Sequence, residues 1–267
     1  MTYQNQIAVI LVACLGITAC GPSQPDSAAE PAAPAAAAVT ESADLAALLA
    51  SDNRAAADRA RDAGRKPAAV IEYLGIEQGM SVLDVIAAGG YYTEVLSLAV
   101  GAGGQVVAQN PEVILQMREG ANEKALSARL ADDRLPNVSR LNKDFADISA
   151  ADGQFDAAIT ALNFHDIYNN RGAEGTVAFL KTVDALLKPG GVFGIIDHVG
   201  IAGADNAALH RVELAAVIET AEAAGFIIEG QSNLLGNDSD DHSQRVFADG
   251  VRGQTDRFLV KLRKPAG

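Results

Sequence analysis

The sequence predicts an α/β domain: a doubly wound, Rossmann-like sheet of seven mostly parallel strands with a final antiparallel strand. Three observations carry this. Short β-branched runs alternate with longer amphipathic ones from Ala68 onward, the pattern of a parallel sheet covered by helices on both faces. Five consecutive strand ends are followed by polar or charged residues, where open α/β sheets bind their ligands. The segment 236–254 has no room for a helix like the earlier ones, so the last two strands are expected to be antiparallel neighbours.

Before the domain comes an address. Ile7 to Ala19 is an apolar or small-residue run of 13 residues, too short to span a bilayer as a helix, which takes about 20. A signal peptide over 1–20 fits better, and Ile17-Thr18-Ala19-Cys20 has the form of a bacterial lipobox, which makes Cys20 the expected lipidation site. Gly21 in place of Asp after the Cys points to a lipid anchor on the periplasmic face of the outer membrane. The membrane is met only through that anchor, and the address is the cell envelope. Residues 21–43 hold Pro22, Pro25, Pro31 and Pro34 among Ala and Ser and read as an extended tether. The domain is expected over 44–267.

The strands follow in order as Ser81–Ile86, Gln105–Ala108, a weaker run Val138–Leu141, Phe155–Thr160 and Val192–Asp197, then Gly225–Glu229 and Arg257–Leu262. Helical segments are expected near 91–100, 111–131, 172–187 and 205–224. The net charge is −13, of which −4 belongs to the first 50 residues, so the remainder carries −9 by itself. Such a surface disfavours nucleic acid, whose binders neutralise phosphates with Lys and Arg. With Cys14 and Cys20 the only cysteines, the domain has no thiol for a disulfide, a zinc-thiolate site or a nucleophile.

The strand ends supply the candidate site: Asp84 through Gly89-Gly90-Tyr91-Tyr92 after the first, Asn110 after the second, Asp144 after the third, Asn163 to Asp166 after the fourth, and Asp197-His198 after the fifth. His165 and His198 are candidate bases, since an imidazole near pH 7 accepts a proton. His165, Asp166, His198, Asp241 and His242 are also metal-ligand types, but no His-x-His or His-x-x-x-His pair is present and no metal is expected. Asp58, Arg61, Asp62 and Arg65 share a helical face, with Arg61 or Arg65 a candidate cap on the cleft. The long segment 236–254 is expected to close over the cleft as a lid bearing Asp241, His242, Arg245 or Arg252.

Gly-Gly-Tyr-Tyr-Thr-Glu at 89–94, Gln-Asn-Pro at 109–111, Leu-Asn-Phe-His-Asp at 162–166, Leu-Lys-Pro-Gly-Gly at 187–191 and Ile-Asp-His at 196–198 stand in order along the chain. In these motifs the sequence resembles the class I S-adenosylmethionine-dependent methyltransferases, and more closely a bacterial branch of predicted methyltransferases. The likeness runs from the Asp58–Pro67 stretch through Leu209-His210-Arg211 to the Arg252–Phe258 stretch. It implies a class I methyltransferase fold, S-adenosylmethionine as cofactor and a small-molecule substrate. It further implies that Asp84, Gly89, Gly90, Tyr91, Asn110, Asp144 and Asn163 hold the cofactor, with His165, Asp166 and His198 beside the methyl-transfer cleft. Two positions depart from the usual pattern. Glycines two, four and six residues after the acid become Ile86, Ala88 and Gly90, and Asn110 replaces an acid expected to take the ribose hydroxyls. S-adenosylmethionine is made in the cytosol, so the address leaves a second reading open, a non-catalytic nucleoside or small-ligand binding domain in the envelope. No motif identifies the methyl acceptor or sets an oligomeric state.

Overall fold

The computed structural model describes residues 44–267. The expected signal peptide, Cys20 and the tether lie outside the described residues. Seven strands form one sheet: β1 (Ser81–Val85), β2 (Gln105–Gln109), β3 (Val138–Leu141), β4 (Phe155–Ala161), β5 (Leu187–His198), β6 (Ile227–Ser232) and β7 (Arg257–Arg263), in the order β3-β2-β1-β4-β5-β7-β6. β7 runs antiparallel between β5 and β6, and the other pairs are parallel. The doubly wound sheet and the antiparallel last pair are therefore as expected.

Period-two side chains divide the core. Val82, Ala157, Ile159, Val192 and Ile196 face one cluster. It is completed by Leu49 of α1 (Leu45–Ala50), by Val70, Ile71 and Leu74 of α3 (Pro67–Leu74), and by Val95 and Leu96 of α4 (Tyr91–Val100). Leu83, Ala158, Phe193 and Ile195 face the other. There they meet Phe179, Leu180 and Val183 of α6 (Phe164–Leu186) and Val217 and Ala221 of α8 (Leu214–Ala224). Alternation of this kind fixes register, because a slip of one residue would exchange the two clusters. Two helices differ from the sequence reading. α6 starts eight residues early, at Phe164, because the left-handed Gly172 kinks the helix without ending it. The segment 205–224 is split into α7 (Asn206–Leu209) and α8 by the left-handed His210 and the buried Arg211.

The chain runs from β1 outward to β2 and β3, then returns past β1 to β4, so the winding reverses between β1 and β4. A crevice opens there at the carboxyl ends of the strands. Its approach is set by α2 (Ala56–Arg65) and by α5 (Glu112–Leu130), which breaks at Met117–Gly120. Among the described residues no helix is long and apolar enough to cross a membrane.

Helix α3 sits on β5 because Gly194 leaves room for it: a Cβ there would come within 2.6 Å of Leu74 Cδ1. Gly194→Ala is expected to cost about 1–3 kcal/mol in urea unfolding through overpacking. The cost should shrink in a Leu74→Ala background, because the two positions share the same space.

Candidate functional site

The loop after β1 is bent at the positions where glycine was missing from the sequence. Ile86 (φ 56°), Ala88 (φ 50°) and Gly90 (φ 81°) are all left-handed. For a β-branched residue this region is a genuine outlier, and it persists only where surrounding structure over-determines it. Here the ends of β2 and β4 supply that structure. Gln109 Oε1 accepts from Ile86 N at 3.1 Å, the Gln109 carbonyl accepts from Ala87 N at 2.9 Å, and Asn110 Oδ1 accepts from Ala88 N at 2.8 Å. Asn163 Nδ2 donates to the Ile86 carbonyl at 3.1 Å. From α5, Arg129 Nε donates to the Gly89 carbonyl at 3.1 Å, while the same guanidinium pairs with Asp58 and Glu94.

This loop floors a cavity of about 520 Å³ at the β1/β4 crevice, lined also by Asp84, Tyr91, Asn163, Asp166, and Arg61 and Arg65 of α2. Asp84 is 3% exposed; Thr93 Oγ1 donates to its Oδ2 at 2.6 Å, and it forms no ion pair among the described residues. Burial pushes its carboxyl up to about 6, the Thr93 hydrogen bond only partly opposing this. A cation arriving in the cavity would find there a carboxylate with no counter-charge.

A second cavity, of about 600 Å³, adjoins the first, and Arg61, Arg65, Arg118 and Leu162 line both. Leu162, at the end of β4, is left-handed as well (φ 63°) and sits at the junction. The outer wall is Val246, Phe247 and Arg252 to Gln254, so the segment 236–254 does lie over the crevice as expected. It is tied down, however. The fully buried Arg211 donates to both Asp240 oxygens at 2.8 and 2.9 Å and to the Gln244 carbonyl, and His242 Nε2 lies 2.9 Å from Asp256. These anchors make it a fixed wall. Of the four side chains expected to face the substrate side, only Arg252 lines the cavity; Asp241, His242 and Arg245 do not.

The other expected site residues divide. Asp84, Gly89, Tyr91, Asn163 and Asp166 line the first cavity and His198 the second. Gly90 caps α4 beneath them, where a Cβ would come within 2.8 Å of Leu126. Asn110 is fully buried and lines neither cavity; its amide is engaged with Ala88, so it shapes the loop from behind. Asp144 is exposed at the start of a short turn and also lines neither. His165, expected as a base, is buried against Asp197, its Nδ1 2.7 Å from Asp197 Oδ1. Asp197 also accepts the backbone N–H groups of His165 and His198, at 2.8 and 2.7 Å. Burial pushes the His165 imidazole down, but Asp197 more than offsets this and holds it above its ordinary range. His198 Nδ1 lies 2.8 Å from Thr255 Oγ1, and burial pushes its imidazole down to about 3, so it is neutral at pH 7. The ligand atoms of His165, Asp166 and His210 lie within 4.8 Å of one another. His210 Nε2 faces the Arg245 guanidinium at 3.2 Å, and its Nδ1 lies 3.4 Å from Asp166 Oδ1.

Sequence reasoning missed Gln109, Arg129, Thr255 and Arg257. Gln109 stood in a quoted motif beside Asn110, and Thr255 and Arg257 stood in the closing one. Arg129 lies in a helix whose pattern gives no sign of its reach.

Comparison with known proteins places this geometry among methyltransferase folds. The pattern of the protein-L-isoaspartate(D-aspartate) O-methyltransferase family matches residues 54–153, less than half of the chain. A SAM-dependent methyltransferase from Aquifex aeolicus is 20% identical over 74% of this chain and 88% of its own, with a TM-score of 0.54. The [4+2]-cyclase SpnF is 19% identical over 84% and 94%, with a TM-score of 0.56. A protein of Bordetella parapertussis described as a possible exported protein is 14% identical over 76% and 68%, with a TM-score of 0.50. No curated protein matches the sequence significantly. The chain has the class I methyltransferase fold, and the cyclase among its neighbours means that the fold does not by itself name the reaction.

The strained loop gives a direct test. A left-handed Ala costs about 1–2 kcal/mol, and Gly gains about 0.4–1 kcal/mol of unfolded-chain entropy. Ala88→Gly should therefore stabilise the protein by up to about 1 kcal/mol in urea unfolding, whereas Asn110→Ala should destabilise it by about 1 kcal/mol by removing the side-chain partner of the half-buried Ala88 N–H.

Proposed function

We propose that the protein is an S-adenosylmethionine-dependent methyltransferase acting on a small molecule. The observation that carries this reading is the pair of cavities meeting at Leu162 over the β1/β4 crevice, the first floored by a cramped backbone loop and a buried, unpaired carboxylate. A methyl transfer needs a place for each of two reactants and a shared mouth between them, since its barrier is lowered chiefly by holding them in line.

The residues of the first cavity suit the cofactor. Asp84, desolvated and without an ion-pair partner among the described residues, would take the amino group of the methionine part. The backbone of the Ile86–Gly90 loop gives close approach, and Tyr91, locked by its hydroxyl on Asp62 Oδ1 at 2.5 Å, forms part of the wall. When bound, S-adenosylmethionine supplies a methyl group on a sulfonium sulfur, open to displacement by a nucleophile on the opposite side. The chain's part is to hold the two reactants on either side of Leu162. His198 lines the receiving side in its neutral form, with its Nδ1 held by Thr255.

Calorimetry with S-adenosylmethionine tests the reading, and pH supplies the sign. Asp84 ionises as pH rises through about 6. Affinity should therefore be weak below pH 5 and rise tenfold or more, roughly 1.4 kcal/mol per decade, by pH 7.5. Asp84→Asn should bind weakly with a flat profile, and no binding by the wild type at millimolar ligand would refute the assignment.

The envelope location belongs to the same proposal and rests on the apolar run 7–19 and the lipobox ending at Cys20. On fractionation the wild-type protein should sediment with the outer membrane, and Cys20→Ala should move it to the soluble fraction. Recovery of the wild type in the cytosol with residues 1–20 intact would rule the location out and leave the reaction standing.

A further inference from the structure

The pairing of arginines follows a rule in this protein, and the rule breaks in one place. Arg54 pairs with Asp62, Arg129 with Asp58 and Glu94, and Arg211 with Asp240, each guanidinium at least mostly buried. On the surface Arg59, Arg61, Arg134, Arg140 and Arg263 also have carboxylates. Among the described residues six arginines have none: the exposed Arg171 and Arg245, and then the half-buried Arg65, the equally exposed Arg118 and Arg252, and the buried Arg257. The last four all line the second cavity, together with Arg61, and no Asp or Glu lines it.

Arg257 is the clearest case. It is 5% exposed, and its hydrogen bonds go to Thr255 Oγ1 at 3.0 Å, the Gly64 carbonyl at 3.2 Å and the Gly253 carbonyl at 2.8 Å. None of these neutralises the charge. Arg65 lies over the Tyr91 ring at 4.3 Å, without an ion pair among the described residues. Withdrawing a guanidinium from water without a counter-ion costs several kcal/mol, and proteins avoid it. Arg257 is such a group and Arg65 is half-buried, while Arg118 and Arg252 are exposed on the same wall; in a chain of net charge −13, four arginines without a carboxylate around one space mean that general charge balance did not put them there. Beside His198 and Gln254, the walls include an apolar side: Leu162, the buried Val246, and Phe247, over which Arg252 lies at 5.5 Å.

Resting on the methyltransferase reading, we infer that the second cavity is the acceptor subsite and that it takes an organic carboxylate carrying an apolar body. The planar carboxylate matches the guanidinium fork, and the arginines' missing counter-ion is the substrate itself. The neutral, weakly basic His198 beside it agrees: an acid that arrives ionised needs no base to remove a proton, whereas an amine or alcohol would.

The test uses the full-length protein and two probes of equal shape, 3-phenylpropanoate and its neutral amide, titrated with and without S-adenosylmethionine. The acid should bind at least tenfold more tightly than the amide, and more weakly as salt is raised. Arg252→Gln, on the exposed wall, should lose three- to tenfold in affinity for the acid, leaving the amide and S-adenosylmethionine unaffected. Arg257→Gln should lose more, and its thermal unfolding reports whether it has folded. Equal binding of acid and amide, no acid binding at 10 mM, inorganic phosphate competing as well as the organic acid, or an unaltered Arg252→Gln would overturn the inference. Acid binding without S-adenosylmethionine binding would leave the anion site standing and remove the methyltransferase reading, so the two fail separately.

Discussion

The site depends on one constraint: the turn after β1 is held in a left-handed zigzag by side chains from the neighbouring strand ends. Ile86 and Ala88 would not adopt it alone, and at about 1–3 kcal/mol each the strain must be met elsewhere. It is met by Gln109 and Asn110, both at 0% exposure, whose amides satisfy the N–H groups that the turn exposes. Gln109 Nε2 in turn donates to the Lys143 carbonyl at 2.9 Å, so the loops after β1, β2 and β3 form one hydrogen-bonded layer. Without that layer the floor of the first cavity would relax outward, away from Asp84.

A second layer is ionic. Arg129 reaches from the end of α5 to Glu94 on α4, Asp58 on α2 and the Gly89 carbonyl, joining three helices to the strained turn. Arg211 does the same for the far wall through Asp240. Buried ion pairs are weak evidence for stability, because desolvation offsets most of their attraction, but removal of one member leaves a bare charge inside. They therefore fix geometry more than they add to the free energy of folding. The contrast with the unpaired cluster around Arg257 is what gives that cluster its meaning.

Much of this was legible beforehand. All seven strands followed from β-branched runs and their spacing, and the antiparallel last pair followed from the lack of helical room in 236–254. The site was legible only as a neighbourhood. Strand ends located the crevice, but whether a side chain points into it or behind it depends on local twist, which periodicity does not encode. Asn110 and Asp144 were therefore expected in the cavity and are not, and His165 is turned toward Asp197. The substitution of Ile86 and Ala88 for glycine reads in sequence as a departure from the pattern. In the fold both residues take the left-handed backbone that glycine adopts without strain, with the cost met by side-chain amides that only three dimensions reveal.

The anchored wall over the second cavity has a kinetic consequence. Where a loop must fold down onto a substrate, its ordering entropy is charged to each encounter and a closing step on the microsecond to millisecond scale limits arrival. Here Arg211 and Asp240 have already ordered the segment before anything binds, so association has no closing step to wait for. Capture is then set by encounter at an open, positively charged mouth on an otherwise acidic surface, which draws anions in by electrostatic steering.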